Sequence, residues 1–199
     1  MAQSLTSATK TGSRLEWVRN RGRYFLFPIS DDDNGDEEKD MVEFSVVGTV
    51  VDTFFDSKAK SHMITVNITR AEMEAIKTLV RSSPDFVDHH YRWPFVGTNA
   101  KFRSRDDIGT DFQSAWDGRR ILDVKDPDQR KRIPASYIKE SSKVYVEYSV
   151  VPYVGKEGKD GEEGFPPGCT LKLLSVGLLE DDVARFNFET PRKKRRFME

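Results

Sequence analysis

Cysteine occurs once in this chain of 199 residues, at Cys169, and histidine three times. A single cysteine excludes an internal disulfide and leaves no thiolate set for zinc, which favours a reducing compartment. His89 and His90 are adjacent, and adjacent residues on a strand point to opposite faces, so they do not converge on one metal. His62 stands apart, and neither a metal nor a cofactor is expected. No apolar run approaches the ~18 residues of a membrane span. The opening MAQSLTSATKTGSRLEW has no apolar core of a secretory signal, so no membrane association is expected. The glycines of GKEGKDGEEG lack the spacing of a phosphate cradle, and their acidic neighbours would repel phosphate. Carboxylates are plentiful, but none is read as lying in an apolar run that would raise its pKa for acid–base work. With no catalytic constellation and no internal repeat, binding without catalysis is expected.

What is present is segregated charge. The formal net charge is −1, yet Asp31, Asp32, Asp33, Asp36, Glu37, Glu38 and Asp40 form an acidic block broken only by Lys39. Arg192, Lys193, Lys194, Arg195 and Arg196 form a basic block near the other end. Partners are therefore to be sought in patches, not in the net balance.

The length suits one domain with tails. A polar leader at 1–13, a folded domain at 14–182 and a basic tail at 183–199 follow from the composition. Strands are expected near 23–29, 42–54, 63–68, 143–153 and 169–179, with a shorter one at 120–124. Ile64, Val66 and Ile68 alternate with Thr65 and Asn67, as a half-buried strand requires. Thr69 and Glu72 have capping-box spacing, and Met73, Ile76, Leu79 and Val80 follow at helical spacing until Pro84. One amphipathic helix among short strands indicates a mainly β fold: an OB-like five-stranded barrel with the helix between its third and fourth strands. Gly48 is expected at a bulge or a close approach.

Aromatic and basic residues interleave through YRWPF at 91–95, KFRSR at 101–105, Trp116 with Arg119 and Arg120, and Arg130 to Arg132. Cations neutralise phosphates with counterion release, and flat rings stack on unpaired bases at ~1–3 kcal/mol each. The pattern points to single-stranded nucleic acid, although any one of these rings could equally be core. Counting by two along KVYVEYSVVPY puts Val144, Val146, Tyr148 and Val150 on the inner face. Lys143, Tyr145 and Tyr153 fall on the other, where a ligand could reach them. Trp93, Phe95, Tyr145 and Tyr153 are thus expected to stack on bases. Arg103, Arg105, Arg119, Arg120, Lys143 and Lys172 are expected to contact phosphates.

The run RILDVKDPDQRKRIPASYIKESSKVYVEYSVVPYV, a Gly-rich loop, and then GCTLKLLSVGLLED resembles the second half of bacteriophage single-stranded-DNA-binding proteins with an OB fold. The resemblance covers about 120–182. It implies a binder with little sequence preference that serves DNA replication, recombination or repair. It also implies that Lys143, Tyr145 and Tyr153 lie on or beside the DNA-binding face, with Arg119 and Arg120 on phosphates. The departure is the tail: that family ends in acidic residues and an aromatic, whereas this chain ends PRKKRRFME. The acidic loop at 31–40 is the alternative docking site for a protein partner.

The basic run from Arg192 to Arg196 follows a proline and resembles a nuclear-import signal. Import would place the protein in a nucleus, as for a DNA virus or mobile element. A nucleic-acid-binding tail and a purely solubilising one remain open, as do RNA in place of DNA and a homo-oligomer. The rival reading is a nuclear adaptor or capsid-like protein whose tail alone holds nucleic acid.

Overall fold

The computed structural model describes residues 3–4, 14–29, 41–56, 61–105, 115–119, 126–156 and 164–180. The strands are β1 (Gln3–Ser4), β2 (Leu15–Asn20), β3 (Arg23–Pro28), β4 (Phe44–Asp56), β5 (Ser61–Asn67) and β6 (Phe95–Val96). They continue with β7 (Asn99–Arg105), β8 (Ala115–Asp117), β9 (Lys131–Arg132), β10 (Lys143–Tyr153) and β11 (Gly168–Glu180). Among the described residues one α-helix, α1 (Arg70–Arg81), lies between β5 and β6. No helix among the described residues is long and apolar enough to cross a membrane.

The fold is mainly β, and its sheet curls until it closes partly into a ring. Successive pairings run β10–β4–β5–β7–β11, and β11 returns to β10. The contact between β7 and β11 is parallel and short, with Leu171 opposite Phe102 and Lys172 opposite Arg103. The long antiparallel ladder between β10 and β11 carries the closure. This matches the expected OB-like architecture, with two corrections. The ring excludes 23–29, expected as its first strand, and includes Asn99–Arg105, where no strand was expected, so the helix follows the second ring strand and precedes the third. Arg23–Pro28 instead forms a hairpin with β2 and is in ladder register with β10 at Tyr153. The expected strand at 120–124 lies outside the described residues.

The reasons are local. In β7 only Ala100 and Phe102 face the core, both fully buried, so the apolar signal is two residues long. β5 buries Ile64 and Val66 on the expected parity. The capping box of α1 is complete: Thr69 Oγ1 accepts from the Glu72 amide at 3.2 Å, and Glu72 Oε2 accepts from the Thr69 amide at 3.0 Å. The helix buries Met73, Ile76 and Val80 into the same core. At the centre sits Tyr148, edge-on to Phe102 with centroids 5.1 Å apart and tilted to Phe44 at 5.9 Å. Burial pushes its hydroxyl far above the ordinary tyrosine range. Cys169 is buried too, as a small packed residue. A side chain at position 48 would meet the Asn67 carbonyl at 2.4 Å, so Gly48 is a close-approach point.

β10 departs from simple alternation, because every residue from Val144 to Pro152 is buried. The outer face of its first half is sealed by Trp116 and Arg130. Trp116 lies flat on β11 where Gly177 leaves room; a Cβ there would sit 2.3 Å from the indole. Glu147, although it sits within VYVEYSVV, is buried and accepts two hydrogen bonds from Arg130, at 2.7 and 2.6 Å. It also accepts from Ser175, and the Arg130 guanidinium lies 4.7 Å from the Trp116 ring centroid. A carboxylate in an apolar run therefore does exist, and its role in this fold is to hold a cover in place.

Removing one partner of such a pair strands a buried charge, which costs about 3–5 kcal/mol, whereas an apolar pair of similar volume is close to neutral. Glu147→Leu alone and Arg130→Met alone are each expected to lower the urea midpoint strongly. The double variant should recover most of the loss.

Candidate nucleic-acid interface

The ring has an inner and an outer side, and strand parity decides which residues each side shows. Phe102 and Leu171 point inward, so Arg103 and Lys172, opposite one another across the β7–β11 pair, point outward. Met63 is the partner of Arg103 on β5, and Arg103 Nη2 lies 3.2 Å from its sulfur. Directly opposed residues share a face at ~5 Å spacing, so Met63, Arg103 and Lys172 form one lateral row. Lys101, two residues before Arg103, is exposed on the same face.

A second row crosses the start of β11. Tyr153 pairs with Gly168, and Gly168 in turn bridges to Arg92. The tyrosine ring lies over the glycine, where a Cβ would come within 2.3 Å of its hydroxyl oxygen. Phe165, 49% exposed, stands beside that ring with centroids 5.3 Å apart. Burial raises the Tyr153 pKa, while Arg92 and Arg103 pull it down and Cys169 adds to the rise. The two rows lie ~13 Å apart along β11 at 3.3 Å per residue. Among the described residues, Arg92, Lys101, Arg103 and Lys172 make no ion pair. An open basin lined by His90, Tyr91, Arg92, Gly164, Phe165 and Pro166 adjoins them.

Of the residues expected from the sequence, the structure brings together Arg103, Lys172 and Tyr153. It does not bring the others to this face. Tyr145 is 3% exposed, sealed against the edge of Trp116 with centroids 5.9 Å apart, so the expectation that a ligand reaches it is corrected. Phe95 pairs with the buried Ala100 and so lies on the core side. Trp93, half-buried, packs with Tyr91 at 4.8 Å under the Arg81 guanidinium at 5.8 Å. Both rings belong to a cluster against the core, not to the outer rows. Arg119 forks onto Asp117 at 2.8 Å, and Lys143 pairs with Glu180 at 3.2 Å. Arg105 closes the β5–β7 ladder opposite Ser61. Arg120, the acidic block at 31–40 and the run from Arg192 to Arg196 lie outside the described residues.

The chain is similar in fold to a solved bacteriophage protein. That structure is gp2.5, a single-stranded DNA binding protein encoded by bacteriophage T7, at 18% identity and a TM-score of 0.34. The match covers 69% of this chain and 86% of the phage chain. No protein-family model and no curated protein matches the sequence.

Arg92 and Lys101 stand in the aromatic–basic runs at 91–95 and 101–105 but were not among the residues expected to contact the strand, and Phe165 was not singled out. Lys101 has the parity of Arg103 in NAKFRSR, which was a usable signal. Arg92 and Phe165 become neighbours only when the start of β11 is laid against both. Among the described residues no group of three or more His, Cys, Asp or Glu could hold a metal ion.

The two tyrosines of β10 separate cleanly in experiment. Tyr145→Ala should cost ~3–5 kcal/mol of stability, as truncation of a buried aromatic does. Tyr153→Phe should leave the thermal midpoint within a degree or two, measured side by side by circular dichroism.

Proposed function

We propose that the outer face formed by β5, β7 and β11 binds single-stranded DNA with little sequence preference. The observation that carries this reading is the pair of lateral rows: four exposed cations that make no ion pair among the described residues flank an aromatic pair of which Phe165 is open to solvent. The cations contact phosphates, and Phe165 with Tyr153 beneath it offers a stacking platform for an unpaired base. A closed duplex offers no base face to such a platform, which is why the arrangement favours single strands. Binding of exposed single strands during replication, recombination or repair is the role this suits, with no catalytic step. The basic tail adds to affinity in this reading but does not create it, and it would serve import where the host cell has a nucleus.

The test is a salt titration of binding to labelled oligothymidylate, the matching duplex and RNA in parallel. Each phosphate contact on a single strand contributes ~0.7 to the slope of log K against log salt. Arg103→Ala with Lys172→Ala should therefore lower the slope by about 1.4 and weaken binding without shifting the thermal midpoint. Deleting residues 190–199 should leave most of the single-strand affinity. No measurable single-strand binding at low salt would end the reading. Loss of nearly all binding on tail deletion would hand it to a protein that holds nucleic acid by the tail alone. A clear preference for RNA would redirect it to the other strand chemistry.

A further inference from the structure

The β2–β3 hairpin lies outside the five-strand ring, and its tip reads Arg19-Asn20-Arg21-Gly22-Arg23. The tip is a two-residue turn with positive φ at both central positions, +48° at Arg21 and +77° at Gly22. Such turns match the twist of a hairpin and favour Asn and Gly. A bulky side chain in the left-handed region costs roughly 1–2 kcal/mol, so Arg21 occupies a position that its own backbone preference opposes.

The tip is also fixed in place. Trp17 donates to Ser82 at 3.3 Å, and Arg19 and Tyr24 both meet Asp85 just beyond the helix. At the other end the Val154 amide donates to the Gly22 carbonyl at 2.9 Å, and Arg23 pairs with Tyr153. Arg19 is consumed in anchoring. Arg21 and Arg23 are exposed and make no ion pair among the described residues.

The pairing with Tyr153 decides which face Arg23 shares. Directly opposed residues share a face, so Arg23 extends the row of Tyr153, Gly168 and Arg92 on its far side. The tyrosine ring, laid over Gly168, is thereby flanked by a guanidinium-bearing residue on each side. A strand running from Lys172 and Arg103 past Phe165 and Tyr153 meets the hairpin tip next.

We propose that the hairpin tip, through Arg21 and Arg23, is a second phosphate-contacting segment that lengthens the single-strand track beyond the ring. The inference rests on the single-strand reading given above and adds the direction in which the strand leaves the ring face and a longer footprint. It predicts that contacts at the tip form only with strands long enough to cross Tyr153.

Arg21→Asn with Arg23→Gln keeps the turn, since Asn tolerates the left-handed region, and removes both charges. With oligothymidylate of about twenty nucleotides, the variant should show a salt slope smaller by about 1.4, equivalent to on the order of 25-fold weaker binding at ~0.1 M salt. With about six nucleotides, short enough for one OB-type site, it should bind like the parent. Arg103→Ala with Lys172→Ala should weaken binding at both lengths. If the hairpin variant matches the parent on the long strand while the ring-face variant is impaired, the tip is not part of the track and the ring-face reading survives. If the parent itself binds neither strand, both fall together. Equal loss at both lengths would contradict the extension, because it would place the tip inside the minimal site.

Discussion

The pairing of β10 with β4 on one side and β11 on the other is the constraint on which the rest of the structure depends. It turns a meander into a partly closed ring and drives Val144, Val146, Tyr148 and Val150 inward together. Tyr148 then becomes the ring against which Phe44 and Phe102 pack. The ladder needs irregularities to curl. The register slips between Glu147 and Tyr148, where β11 passes from Ser175 to Leu173. Bulges of this kind increase local twist and let a sheet bend around its core.

The same ladder presents two different outer surfaces. Toward the start of β10, Trp116 and Arg130 close over Glu147, Tyr145 and Gly177, and the charge there is spent within the protein. Toward its end, Lys101, Arg103 and Lys172 make no ion pair among the described residues, and the rings of Tyr153 and Phe165 stand beside them. Buried ion pairs hold structure, while unpaired surface cations are available to a polyanion. The division between them falls across one strand pair. That is why residues eight apart on β10, Tyr145 and Tyr153, have unrelated surroundings.

The strongly periodic parts of the fold were legible in the sequence. The Thr69–Glu72 capping box, the alternation of Ile64 and Val66, and the inward placement of Tyr148 rest on spacing alone, and local backbone geometry decides them. Tyr145 was not legible, because its burial is produced by Trp116, which arrives from 29 positions upstream. β7 was hidden because only Ala100 and Phe102 carry its apolar signal and its outer residues are basic. At the site, Arg103 and Lys172 were expected as phosphate contacts from the aromatic–basic pattern, but their meeting depends on a two-residue parallel contact that no local pattern announces. Arg23 and Arg92 come to the two sides of Tyr153 only through three separate strand pairings. Trp93 and Phe95 misled for the opposite reason: an aromatic–basic run reads alike whether its rings face a ligand or the core.

The central claim is that one face of the ring, and not the tail or the sealed patch, contacts single-stranded DNA. Titrating oligothymidylate into isotopically labelled full-length protein and following side-chain signals by NMR tests it most directly. The account predicts saturable shifts at Met63, Arg103, Lys172, Tyr153 and Phe165, with the Trp116 indole and Tyr145 unmoved. Shifts confined to residues 190–199, or centred on Trp116, would contradict it.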